Sequence, residues 1–253
     1  MQVIVNADDY GRDESTSKAI LECFRRGWIT STTLMVNMPY ADQATLMARK
    51  YHIDDKVGLH INLAEGIPIT QNIRGIPLFC TEGIFNQRIM HSLGGRIMLT
   101  GRNRAALREE LEAQIEKYMQ YGYRLKHADS HYHIHNLLPV LFVVLPLLRH
   151  YGFRSLRIAR NINAENKLPN RIFKAAANTV IRLYGMNCTR YFSSFRDLAL
   201  CVQSGKRYQG VIELMTHPVF VEGKINNVGS MPFEDFFAAV QGLVLISQNK
   251  CQG

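Results

Sequence analysis

With 253 residues, 47% of them hydrophobic, the chain can bury a large core; its length fits one α/β barrel or two small domains, and a single domain over residues 1–253 is expected. Five widely spaced cysteines (Cys23, Cys80, Cys188, Cys201, Cys251), odd in number and without a C-x-x-C pair, exclude a disulfide framework or zinc knuckle and suit a reducing cytoplasm. The net charge of +9 is concentrated in residues 151–200, where Arg154, Arg157, Arg160, Lys167, Arg171, Lys174, Arg182, Arg190 and Arg196 outnumber Glu165 and Asp197; this reads first as a solvated basic face, and otherwise as a surface for an anionic substrate, a membrane or nucleic acid.

The N-terminus runs directly into Val3, Ile4 and Val5 and then carboxylates, without the basic and long apolar regions of a signal peptide, so a cytoplasmic location is expected. A strand at Val3–Asn6 precedes a helix at Ser15–Arg26, a strand at Thr32–Val36, a helix at Ala41–Lys50 and a strand at Val57–Leu63. Beyond a loop from Gly66 to Gly83, Leu107, Leu111, Ile115 and Tyr118 give helical spacing over Arg104–Tyr121, with Glu109, Glu110, Glu112 and Glu116 on the wet face. Next come a strand at Lys126–Ser130 and an apolar run, Leu137–Leu148, interrupted by Pro139 and Pro146. That run is well short of the roughly 20 residues of a membrane span and reads as a buried helix. A strand at Ser155–Ile158, a helix at Arg171–Tyr184, a strand at Val211–Met215 and a helix at Phe233–Ile246 complete the pattern. This alternation predicts βαβ units and a parallel sheet, closed as an irregular (β/α) barrel rather than opened as a doubly wound sheet. Dinucleotide and P-loop signatures, internal repeats and linkers are absent from the sequence.

Catalytic groups collect where parallel strands end, and four motifs place reactive side chains there. Asn6-Ala7-Asp8-Asp9-Tyr10-Gly11 offers two carboxylates whose side chains diverge, so that one can bind a cation while the other takes a proton from water; alone, the pair also fits a turn or helix cap. Val57-Gly58-Leu59-His60-Ile61-Asn62-Leu63 sets a histidine in an apolar strand. Asp129-Ser130-His131-Tyr132-His133-Ile134-His135 carries three alternating imidazoles, which would face one way if extended, while a helical turn would pair His131 with His135. Glu213-Leu214-Met215-Thr216-His217-Pro218 ends another strand on a histidine. Five of nine histidines thus fall at strand ends, whereas His52, His91, His127 and His150 lie in polar stretches and read as surface groups. That partition points to a hydrolytic metal site.

Together these residues resemble the YdjC/ChbG-like carbohydrate deacetylases, whose hallmark near the start is N-A-D-D-[FY]-G. Thr30-Ser31-Thr32-Thr33 leading to Met35-Val36-Asn37, Gly58-Leu59-His60, Asp129-Ser130-His131 with His133 and His135, and Glu213-Leu214-Met215 before Thr216-His217-Pro218 follow in the family's order, over roughly residues 1–222. The resemblance implies a deformed (β/α) barrel and one divalent cation, magnesium or zinc, held by Asp9, His60 and His131. It implies Asp8 as general base and, by analogy with polysaccharide deacetylases of the NodB type, His217 as the group that protonates the leaving amine or stabilises the tetrahedral intermediate. His133, His135 and Asp129 are left between supporting the ligands and binding sugar. The implied partner is an N-acetylated amino sugar. After Pro218 the sequence departs from the family's Arg- and Glu-rich continuation.

The helix at Arg171–Tyr184 carries Ile172, Phe173, Ala176, Val180 and Leu183 beside Arg171, Lys174 and Arg182. This stripe reads as core-facing; the alternative is contact with an anionic membrane or a lipid-linked sugar, peripheral to the inner face of a membrane. A metal-dependent phosphoesterase on a similar barrel is the rival enzyme, though two or three cations would want more carboxylates. A basic membrane- or nucleic-acid-binding module leaves the histidines unexplained, and no nucleic-acid partner is expected. A homodimer is left open.

Overall fold

A computed structural model of the chain describes residues 1–92, 98–162, 168–186 and 189–251. Glu165, Lys167 and Cys188, and the side chain of Cys251, lie outside the described residues. The elements are β1 (Gln2–Tyr10), α1 (Glu14–Arg25), β2 (Ser31–Leu34), α2 (Ala41–Lys50), β3 (Val57–Ile61), the short hairpin β4 (Cys80–Thr81) and β5 (Ile84–Phe85), α3 (Arg88–His91), α4 (Gly101–Gln120), β6 (His127–Ser130), α5 (Leu138–His150), β7 (Ser155–Leu156), α6 (Leu168–Leu183), β8 (Tyr191–Ser194), α7 (Phe195–Gln203), β9 (Val211–Thr216), the hairpin β10 (Pro218–Val221) and β11 (Lys224–Asn227), α8 (Phe233–Ala239) and β12 (Val244–Leu245).

Eight strands form one parallel sheet in the order β7-β6-β3-β2-β1-β9-β8, with β12 beside the start of β1. Beyond β7 the amides of Asn161 and Ile162 donate to the Phe192 carbonyl of β8 at 3.3 and 3.2 Å, drawing the two outer strands together into a curled half-barrel, the form the expected irregular (β/α) barrel takes. Continuous apolar runs such as Val3-Ile4-Val5, fully buried, are what a sheet covered on both faces requires. Gly58 serves the curl: a Cβ there would stand 2.8 Å from the His127 carbonyl of β6, so only glycine lets β3 and β6 approach this closely.

The structure departs from the sequence reading in five places. The last helix stops at Ala239, because Gly242 at φ +73 turns the chain and Val244–Leu245 pairs with β1, Val244 N donating to Met1 O and Ile246 N to Val3 O, each at 2.9 Å. β8 and α7 were unseen, their Tyr191-Phe192-Ser193-Ser194 start being too short and mixed to give a period. Glu110 is buried rather than wet and accepts the amides of Ile69 and Thr70, holding the long loop onto α4. Much of the apolar stripe of α6 faces outward, Ile172 being 63% and Leu183 81% exposed, while Val180 packs on the core beside Ala177, Asn178 and Ile181, which supply the inner face. His127, finally, is buried, accounted for below. Among the described residues no helix is long and apolar enough to cross a membrane.

Candidate active site

The C-terminal ends of β1, β3, β6 and β9 converge on a cavity of about 450 Å³ whose wall includes Asp8, Asp9, His60, His131, His133 and His217. Asp8 and Asp9 separate because the β1–β2 register shifts between Ala7 and Tyr10 and Asp9 sits at φ +68, a bulge that re-aims its carboxylate. An Asp tolerates the left-handed region better than most residues. Gly11, at φ +81 with Leu34 Cδ1 2.7 Å from where a Cβ would stand, completes the turn.

Asp9 Oδ1 meets His131 Nδ1 at 2.8 Å and lies 3.1 Å from His60 Nε2. Their ligand atoms all fall within 4.8 Å of one another, and all three residues are buried. His60 Nδ1 is 2.6 Å from Asp129 Oδ1 and 3.1 Å from Thr33 Oγ1, so Nδ1–H donates to the carboxylate, which fixes the ring. That leaves His60 Nε2 buried and without a hydrogen-bond partner, as is His131 Nε2, which Glu65 Oε1 approaches at 3.2 Å. A buried carboxylate beside two orphaned imidazole nitrogens, one backed by an acid, is a donor set that could hold a metal ion. Burial opposes charge on Asp9, but the His131 and His60 rings outweigh it and hold the carboxyl well below the usual range. Burial likewise works against a proton on His60, yet Asp129, Asp9 and Asp8 push it up to about 10.

Asp8 faces the other way. Its Oδ2 and Oδ1 accept from Arg157 Nη1 and Nη2 at 2.6 and 2.8 Å, and Oδ1 also accepts from Asn6 Nδ2 at 2.9 Å. Burial raises its pKa, but Arg157 overrides that and keeps Asp8 ionised, well below the ordinary carboxylate range. Arg157 is wholly buried and also touches Asp129 Oδ2 at 2.7 Å and Glu213 Oε1 at 2.5 Å. It therefore leaves the solvated basic face in which its charge was counted. His217, a third exposed, stands 3.9 Å from Asp8 Oδ2, its backbone pinned by Asn227 Oδ1 at 2.7 Å from the β10–β11 hairpin.

The three alternating histidines share neither an extended nor a helical face. Tyr132 and His133 take φ +52 and +55 within a 3-10 segment, sending His131 to Asp9, His133 against the Phe192 ring at 5.4 Å, and His135 beneath, between Ser130 Oγ at 2.5 Å and the Arg157 carbonyl at 2.9 Å. His127 is not a surface group: Ser155 Oγ and Gln248 Nε2 each lie 2.9 Å from its Nδ1, with Glu213 3.6 Å from Nε2. His52, His91 and His150 are exposed. Sequence reading gave no site role to Arg157, Glu65 or Thr33, nor to Arg12, whose guanidinium reaches Glu65 at 3.1 Å.

Burial lowers His135 to about 4 and keeps His133 uncharged. A histidine depressed from 6.5 contributes stability that is complete above pH 6.5 and disappears as pH falls toward 4. Urea unfolding of metal-stripped protein is expected to lose about 3 kcal/mol over that window through His135 alone, and His135→Asn should shed up to one proton's worth of the slope. An unchanged slope would mean that His135 titrates alike in the folded and the unfolded chain.

A family model described as YdjC-like protein matches residues 2–237. The chain is 29% identical over 230 residues to a carbohydrate deacetylase of Thermoanaerobacter pseudethanolicus, covering 90% of this chain and 85% of that one, and 30% identical over 223 residues to one of Halalkalibacterium halodurans, covering 88% and 86%. A chitooligosaccharide deacetylase of Klebsiella pneumoniae is 29% identical over 225 residues, 88% and 83% of the two chains. A crystal structure from Enterococcus faecalis, described as a cellobiose-phosphate cleavage protein, superposes with a TM-score of 0.73 at 23% identity over 100% of this chain and 99% of that one.

Proposed function

We propose, because this chain belongs to the YdjC-like protein family, that it is a metal-dependent carbohydrate deacetylase releasing acetate from an N-acetylated amino sugar. The observation that carries the reading is the division of labour between adjacent carboxylates: Asp9 turned to His60 and His131, Asp8 held apart by Arg157 and facing His217. Asp9, His60 and His131 would hold one divalent cation, and two nitrogen donors with one carboxylate suit zinc or another transition ion better than magnesium. Such an ion supplies a Lewis acid for the amide carbonyl and lowers the pKa of the attacking water. Asp8, ionised and oriented by Arg157, receives the proton of that water. His217, on the open side of the cavity, delivers a proton to the departing amine, which an amide needs because its nitrogen is a poor leaving group. Asp129 fixes the His60 tautomer, and His135 supports Arg157 through its carbonyl. His133, uncharged and in the cavity wall, is placed to hydrogen-bond the sugar.

Against a phosphoesterase stands Arg157: Asp8, Asp129 and Glu213 could form part of a second ion site, but its guanidinium is already the cation among them. The outward stripe of α6, with Arg171 and Arg182 at its edge, supports including lipid-linked amino sugars among the substrates.

Metal-stripped protein is expected to release no acetate from N-acetylglucosamine, its dimer or a lipid-linked form, and to recover on reloading with zinc; Asp9→Ala, His60→Ala or His131→Ala should abolish metal retention. Phosphate release from sugar phosphates without acetate would transfer the site to the rival chemistry.

A further inference from the structure

Away from the core, α6 carries two adjacent lines of side chains. Arg171, Lys174, Asn178 and Arg182 follow one another at three- and four-residue steps and, with Arg160 and Asn161 of the segment after β7, line a groove of about 520 Å³. Ile172, Ala176 and Leu183 form the next line, exposed and turned away from the buried Ala177 and Ile181. Four cations thus converge on one groove, and among the described residues its wall includes no carboxylate. Asp197, which accepts from Arg160 Nη1 at 3.1 Å, answers one of the four charges. Burial and then the Arg160 charge hold the Lys174 ammonium below its ordinary range, against the pull of Asp197, as expected where like charges crowd. The reaction described above gives neither line a task.

We infer that this face of α6 seats the protein on an anionic phospholipid bilayer, the groove taking headgroup phosphates and the line from Ile172 to Leu183 entering the acyl boundary. A row of cations beside a row of exposed aliphatic side chains is the pattern of a helix lying in a bilayer interface, where the charged heads stay among phosphates while the apolar side chains sink. Charge complementarity selects this occupant over a second copy of the chain, because two such faces packed together would set cation against cation. The apolar line selects it over free phosphate, which has no use for one. Arg160 also lines a cavity of about 350 Å³ that shares Met215, His217 and Val228 with the catalytic one, so only one cavity intervenes between the seated face and the reacting groups. The inference goes beyond the deacetylase reading, and binding is measured without turnover, so each can fail alone.

The test mixes full-length protein with vesicles of phosphatidylcholine, alone or with about one third phosphatidylglycerol, and reads the bound fraction by flotation. Wild type is expected to bind the anionic vesicles at about 0.1 M salt, to weaken at about 1 M, where the screening length falls to about 3 Å, and to leave pure phosphatidylcholine unbound. Arg171→Gln with Arg182→Gln should lose about thirtyfold in partitioning, the worth of two cations at such a surface, and Ile172→Ser with Leu183→Ser about tenfold. All four side chains are exposed, so thermal midpoints should hardly move. Arg104→Gln with Arg108→Gln, exposed on α4, removes the same charge elsewhere and should cost less than about threefold. Equal losses from the two charge pairs would reduce the effect to net charge and overturn the docking face, as would wild type that ignores anionic vesicles. Release by inorganic phosphate, with the serine variant binding as tightly as wild type, would assign the groove to a soluble anion and overturn the bilayer. A dimer in sedimentation equilibrium that the serine variant dissociates, without vesicle binding, would give the face to a second copy instead.

Discussion

Replacing Asp8 by Asn is expected to lower kcat by about 10²–10⁴-fold, the usual contribution of a positioned general base, while the protein still retains one equivalent of metal. The two outcomes separate because Asp8 is not among the residues gathered on the Asp9 side: its oxygens are taken by Arg157 and Asn6, and its open edge faces His217. An amide keeps the shape and one acceptor for Arg157 but cannot accept a proton from water. It also loses a charge-assisted hydrogen bond inside the protein, so unfolding stability should fall by about 1–3 kcal/mol. Metal content, stability and acetate release measured on one preparation decide the matter. Full activity in Asp8→Asn would move the base elsewhere, Glu65, 3.2 Å from His131 Nε2, being a candidate.

Arg157→Met should be the most damaging single change to stability. It leaves Asp8, Asp129 and Glu213, all buried, without their common cation, and unpairing a buried charge costs about 3–5 kcal/mol, or about 10 °C in Tm for a chain of this size. The pH dependence should change sign. Burial raises Glu213, but Arg157 and His127 hold it down to about 2 in the intact protein, so its stabilisation is present above pH 4.5 and fades only as pH falls toward 2. With Arg157 gone, burial dominates and the folded pKa rises above the unfolded one, so the variant should gain stability as pH drops from 7 to 5. Arg157→Lys should restore only part, since one ammonium cannot span a fork to Asp8 while also reaching Glu213. Unfolding midpoints at pH 5 and 7 give the answer; unchanged midpoints for Arg157→Met would mean that the carboxylates are protonated or hydrated.

The parallel strands were legible because Val3-Ile4-Val5, Val57-Gly58-Leu59 and Ile212-Glu213-Leu214 are short, apolar and separated by helical periods. The position of His60 and Asp8–Asp9 at strand ends followed from the same pattern. Arg157 was not legible as a site residue, since charge was counted by window and its partners lie far away in sequence. A signal did exist: Arg157 sits between Leu156 and Ile158, and Glu213 between Ile212 and Leu214, and charges inside apolar strands must find each other. His127 hid for a related reason, its buried partners Ser155 and Gln248 coming from distant segments. The splayed histidines depended on two residues at positive φ, Tyr132 and His133, which no periodicity announces. α8 was overextended because Val240 to Ile246 looks apolar either way, and the free edge of β1 decided for a strand.

The shared guanidinium also governs how the barrel assembles. Glu213 opposes Ile4 across the β1–β9 ladder, and a slip of one residue would turn Leu214 toward Arg157 and drive the Glu213 carboxylate among the helices. Hydrophobic burial alone discriminates weakly here, because Ile212, Leu214 and Met215 are buried on both faces of β9. The ion cluster thus fixes the register of β9 against β1, since a misaligned strand would leave a buried charge unpaired.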